Sequence, residues 1–166
     1  MLIANKRIAQ GHGLAEVLIR RATTLTLDWD TRSKSRFDAT DSGGRHLGVF
    51  LPRGQVLRGG DVLVTEDGSL VRVLAAPQPV LRIAACPAHG SALDLPRAAY
   101  HLGNRHVALE VQAECLQIEP DTVLAAMLRA MHLIVTEHDA PFEPEGGAYA
   151  ASTAGHAHAG HHHPHE

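Results

Sequence analysis

Six of the chain's 13 histidines fall within ten positions, as His156, His158, His161, His162, His163 and His165 of GHAHAGHHHPHE. Neutral imidazole offers a lone pair that suits nickel, zinc, copper and iron alike, and a flexible segment can wrap several of them round one ion. The chemistry available to this cluster is therefore metal capture, and composition alone does not name the metal. Ala, Gly and Pro interrupt the run, whereas a purification tag is normally uninterrupted, so the tract reads as native sequence.

The rest of the chain sets limits on partners. It has 166 residues, 45% of them apolar and 4% aromatic, so a modest core must be built mainly from Leu, Val, Ile and Ala. Fifteen Lys and Arg against 18 Asp and Glu leave a formal charge of -3, with no basic run to neutralise a phosphate backbone, which argues against nucleic acid as a partner. MLIANKRIAQGHG holds no apolar stretch of signal-peptide length, and the apolar region VLAAMLRAMHLIV is broken by Arg129 and His132. A cytoplasmic protein without a membrane partner is expected. The two cysteines, Cys86 and Cys115, are then read as free thiols packed like small apolar residues.

Two rhythms divide the chain into an α+β fold. TLTLDW alternates Leu25, Leu27 and Trp29 onto one face, and HLGVFLP, DVLVT and SLVRVLAA are further short runs separated by Gly-rich turns. They predict an all-β domain over residues 1–74, with a boundary near 75–78 where Pro77 and Pro79 punctuate the chain. PVLRIAAC then reads as a strand, and Leu95, Ala98, Ala99 and Leu102 form a helical stripe for which Gly103 would be the stop. VALEV and CLQIE read as strands; Asp121 caps a second helix carrying Leu124, Met127, Leu128 and Met131, and LIVTEH closes the series. The order β-α-β-β-α-β predicts a ferredoxin-like domain over residues 75–140. Residues 141–166, beginning PFEPEGGAYAASTAG, lack any period and read as a disordered tether for the histidines.

Few other residues suggest chemistry. TDSGGR at 40–45 superficially resembles a protease nucleophile loop, but it lacks the flanking glycine and partner residues and reads as a turn between strands. HExxH, GxxxxGK[ST] and GxGxxG are all missing from the sequence, so no enzyme is assigned. Cys86-Pro-Ala-His89 is a weak metal signal, and His12, His46, His132 and His138 stand isolated. In AYHLGNRHVALEV a helix ends, the chain turns at Asn104 and Arg105, and His106 opens a strand. His101, five residues earlier, points away from the apolar stripe and need not share a site with His106.

AYHLGNRHVALEV, LPRGQVLRGGDVL at 51–63 and PFEPEGGAY at 141–149, with the His-rich tail, resemble in order the UreE family of urease accessory metallochaperones. The resemblance runs over essentially the whole chain. It implies an N-terminal β domain similar to a peptide-binding module, and a ferredoxin-like metal domain. It also implies a homodimer in which the last histidine of GNRH, here His106, holds nickel at a two-fold interface. Two-fold symmetry would bring His106 of each subunit to one point, where tail imidazoles could fill the remaining positions. Some relatives carry further histidines at the start of the second helix, where this chain has Pro120, Asp121 and Thr122, so auxiliary sites are not expected there.

The function expected is a nickel chaperone that passes Ni(II) to apo-urease by ligand exchange, through the urease accessory GTPase and the urease assembly complex. Zn(II) or Cu(II) would compete, since donor type alone does not favour nickel. A His-rich buffer or storage protein for nickel or zinc is the alternative of a different class.

Overall fold

A computed structural model describes residues 1–147, so His156, His158, His161, His162, His163 and His165 lie outside the described residues. The first domain runs β1 (Leu2–Ile8), α1 (Glu16–Arg21), β2 (Thr23–Leu27), α2 (Trp29–Arg32), β3 (Arg36–Thr40), β4 (His46–Phe50), β5 (Val62–Thr65) and β6 (Leu70–Ala75). The second runs β7 (Pro77–Ala84), α3 (Asp94–Asn104), β8 (Leu109–Val111), β9 (Leu116–Ile118), α4 (Thr122–Ala130) and β10 (Ile134–Pro141).

In the first domain the six strands lie in the order β2-β6-β5-β1-β4-β3. The sheet curls nearly into a barrel, because its two edges are bridged where Ser42 N–H donates to the Thr24 carbonyl at 2.9 Å and Thr24 N–H to Ser42 Oγ at 2.9 Å. Alternation turns Leu25, Leu47, Val49, Leu63, Val71 and Val73 inward, each at most 1% exposed. Each such burial is worth roughly 1.5–3 kcal/mol. TDSGGR is a turn, with buried Asp41 accepting from Gly43 N–H and Arg45 N–H, both at 2.9 Å. The loop before β5 is fixed by Asp61, which accepts from Arg58 N–H at 2.9 Å and Gln10 N–H at 3.0 Å.

One alternation breaks early. Asp28 accepts from Thr31 N–H at 2.9 Å and caps α2, so Trp29 opens a helical turn instead of continuing β2. Its ring stands edge-on to Phe142, centroids 6.2 Å apart.

The second domain has the expected ferredoxin-like form: sheet order β10-β7-β9-β8, every neighbouring pair antiparallel. Leu81, Ile83, Leu116 and Ile118 from the sheet meet Ala98 and Leu102 of α3 and Ala125 and Leu128 of α4. The helical stripes are therefore core. Gly103 does not stop α3: the helix passes through it to Asn104, and a side chain there would meet open space.

The segment after β10 also departs from expectation. Residues 141–145 are packed, not a free tether. Pro141 still pairs with Pro77, Phe142 is fully buried, and Glu145 N–H donates to the Leu109 carbonyl at 2.7 Å. The strap grips the first domain through Arg32, itself wholly buried in α2. Arg32 Nη1 donates to Glu143 Oε1 at 2.8 Å, Nη2 to the Phe142 carbonyl at 2.6 Å and Nε to the Leu27 carbonyl at 3.1 Å. Glu143 accepts in addition from Gly59 N–H at 2.8 Å and Arg58 Nη1 at 3.2 Å. Buried Phe142 and Pro144, the Glu143 carboxylate and backbone bonds thus order a stretch that has no periodicity.

Candidate metal centre

His106 is set by the way α3 ends. Arg105 closes the helix, and His106 takes a left-handed backbone with φ 56°. Its N–H donates to the Gly103 carbonyl at 2.9 Å, and Val107 N–H reaches back to the Leu102 carbonyl at 3.2 Å. This pair of bonds is the Schellman closure, and it satisfies carbonyls the helix would otherwise leave open. Glycine or asparagine usually occupies the left-handed position, because a Cβ there costs roughly 1–2 kcal/mol. His106 therefore does not open a strand; β8 begins at Leu109.

The result is an exposed imidazole on a fixed turn, at the foot of a helix whose other face is locked into the core. His101 is exposed one turn back, its ring edge-on to Tyr100 with centroids 5.5 Å apart. Arg105 Nη1 donates to the His101 carbonyl at 3.1 Å. Among the described residues, no three His, Cys, Asp or Glu side chains gather closely enough to hold an ion. His101 and His106 are not joined into one such group. Whatever completes a shell at His106 must come from residues 148–166 or from another molecule.

The strap has a bearing on this. Glu145 N–H is bonded to the carbonyl of Leu109, three residues after His106 in sequence, and the described region ends two residues later at Gly147. His156 follows Gly147 by nine residues, an extended reach of about 30 Å. Sequence reading missed Arg32 and Glu143, which fix this point of departure. The local signal was PFEPE itself, Phe142 and Glu143 between two prolines.

A second Cys/His pair is also ordered. Cys86 Sγ lies 3.8 Å from His89 Nδ1. The hydrogen bond from His89, followed by the backbone N–H groups of Ala88 and His89, holds the Cys86 thiol below its ordinary pKa. Cys115 differs: it is 2% exposed and its Sγ donates to Gln112 Oε1 at 3.2 Å.

Comparison with known proteins covers nearly the whole chain. The family model described as the UreE urease accessory protein N-terminal domain matches residues 4–76, and that of the C-terminal domain matches residues 78–166. The urease accessory protein UreE of Paracidovorax citrulli (strain AAC00-1) is 74% identical over 151 residues, covering 91% of this chain and 72% of the relative. That of Albidiferax ferrireducens (strain ATCC BAA-621 / DSM 15236 / T118) is 70% identical over 158 residues, 95% of this chain and 90% of the relative. That of Verminephrobacter eiseniae (strain EF01-2) is 66% identical, with 99% of both chains covered. Two matched domains in the observed order, and relatives 66–74% identical over 91–99% of this chain, place it in the UreE urease accessory protein family, whose members are accessory proteins and not enzymes.

Proposed function

We propose that the chain collects Ni(II) as cargo and hands it to apo-urease, working as a cytoplasmic homodimer with the urease accessory GTPase and the urease assembly complex as receivers. The observation that carries this reading is the exposed His106 imidazole on a rigid left-handed turn, without enough neighbouring ligands of its own to close a shell. One imidazole holds a divalent ion poorly, whereas a two-fold axis through the turn supplies two. Exposed Tyr100 and Leu93 on and beside α3 offer apolar surface for that contact. The six tail histidines, nine to eighteen residues beyond Gly147, provide weak, exchangeable ligands that gather metal and fill remaining positions. Transfer is ligand exchange: neutral nitrogen donors are replaced one at a time by those of the acceptor, and no covalent intermediate forms. Membership of the urease accessory family, and the absence from the described residues of any helix long and apolar enough to cross a membrane, are consistent with this role.

The test is urease activation across a nickel series with the parent, His106→Ala and a chain lacking residues 150–166. Delivery through His106 requires that His106→Ala fail even at ample nickel, while tail deletion fails mainly when nickel is scarce. Equal activation by His106→Ala at every concentration would leave the tail as a buffer.

A further inference from the structure

We propose that Cys86 and His89 form a separate cation site that takes a thiophilic divalent ion through one thiolate and one imidazole, with water completing the shell. This goes beyond the nickel reading, because His106 and the tail histidines offer only nitrogen donors. The Cys86 Sγ to His89 Nδ1 separation is 3.8 Å. An ion at ordinary bond lengths of about 2.3 Å to sulfur and about 2.0–2.1 Å to nitrogen would see these two atoms at an angle of about 120°, near the tetrahedral opening of about 109°. The pair thus already stands at the bite of a chelate, needing only a shift of a few tenths of an ångström by the shape of that triangle.

The turn holding them is closed. Gly90 N–H donates to the Cys86 carbonyl at 2.7 Å, and a Cβ at position 90 would stand 2.4 Å from that oxygen, so only glycine fits the closure. Both ligands are consequently carried on a loop of fixed shape, which limits the ordering that binding requires. Access is open, since His89 is exposed and Cys86 half-buried, in contrast to Cys115. The ligating form of Cys86, the thiolate, is favoured by His89 and by the backbone N–H groups of Ala88 and His89. Binding would displace the proton the pair shares, as ligation of a thiol does in general. Because no third protein ligand joins the pair among the described residues, the ion is held weakly and exchanges. A sulfur donor favours zinc-like ions over magnesium or calcium.

The experiment is a Co(II) titration of the full chain, reduced and under inert gas, followed by thiolate-to-cobalt charge-transfer absorption. Nitrogen ligands do not produce this band, so neither success nor failure of nickel binding at His106 alters the outcome. The expected result is a band whose intensity at saturating cobalt corresponds to one thiolate ligand per chain, and which disappears in Cys86→Ser and persists in Cys115→Ser and His106→Ala. In His89→Ala the titration midpoint should rise about 10-fold or more, as the chelate is reduced to a single ligand. Both substituted residues of the pair lie on a surface loop away from the two cores, so the variants remain folded. No band at saturating Co(II), a band surviving Cys86→Ser, or an unmoved midpoint in His89→Ala would each overturn the site.

Discussion

The two helices of the second domain end alike. His106 follows α3 and His132 follows α4 at the same position of the turn, with φ of 56° and 62°. At α4 the same closure recurs, His132 N–H donating to Arg129 at 3.0 Å and Leu133 N–H to Leu128 at 3.2 Å. Both imidazoles are exposed. Their surroundings differ. His132 lies near Asp94, whose carboxyl is held below its ordinary pKa first by hydrogen bonds from Ser91 and to a lesser degree by Arg97 and His132. His106 instead follows a helix end whose last turns carry exposed His101 and Tyr100. A strained histidine at a helix end is therefore a folding device that either residue can serve. The exposed imidazole on its turn therefore needs the family motif beside it to mark His106, and not His132, as the proposed ligand.

Substitution by glycine separates the two roles, since glycine keeps the turn and removes the ring. His106→Gly should abolish the best-ordered nickel site, because symmetry removes both imidazoles at once, while His132→Gly should leave nickel binding as in the parent. Calorimetric titration of both variants decides it, and equal losses would make the two ends equivalent after all. Next in size, deletion of residues 150–166 should lower total nickel per chain sharply yet preserve the difference between the two glycine variants. Nickel counted by elemental analysis after desalting checks this.

Acid should sharpen the contrast between metal and fold. Imidazole ligands must be neutral and ordinarily titrate near 6.5, so bound nickel should fall as pH drops through roughly 7 to 5. The first domain should hold longer. Burial alone would raise the Asp41 carboxyl, but hydrogen bonds from Arg45 and Thr23 outweigh it and bring the pKa down to about 2. A carboxylate lowered on folding contributes stability above its unfolded value of about 3.9, and that contribution is lost as pH falls from there towards 2. Retained nickel and far-ultraviolet circular dichroism, followed on one sample, should therefore separate by more than one pH unit. The smallest effect concerns stability itself. Relief of left-handed strain of about 1–2 kcal/mol, less glycine's entropic cost of about 0.5–1, should make each glycine variant about 0.5–1 kcal/mol more stable in urea. A loss in either would mean that its ring packs against something the turn needs.

How much of this was legible beforehand depended on whether a signal was local. The stripes Leu95-Ala98-Ala99-Leu102 and Leu124-Met127-Leu128-Met131 predicted α3 and α4, because a helix reports its buried face at fixed spacing. Strand β1, LIANKRI, escaped notice since Asn5, Lys6 and Arg7 interrupt its alternation and a register shift falls between Ala4 and Lys6. Gly103 looked like a helix stop, yet the left-handed residue came three positions later, at a histidine, where tertiary packing of Leu102 and Val107 overrode the usual preference. His106 was singled out from the GNRH motif, not from physical pattern. Arg32 and Glu143 could not be paired in advance, because nothing within a window of residues reports a partner 111 positions away.

That separation governs how the molecule is made. The barrel strands and α2 leave the ribosome before the Glu143 carboxylate and the Phe142 carbonyl that accept from Arg32 have been made. At synthesis rates of about 5–20 residues per second, the 68 residues from the end of β6 at Ala75 to Glu143 take roughly 3–14 s. For that interval the guanidinium keeps only its bonds to the Leu27 and Leu57 carbonyls and faces water where the strap will lie. The final descent to the native state is thus timed by translation of the strap, and a nascent chain halted before residue 142 should remain open to proteolysis around α2. A first domain expressed alone inherits the same defect permanently.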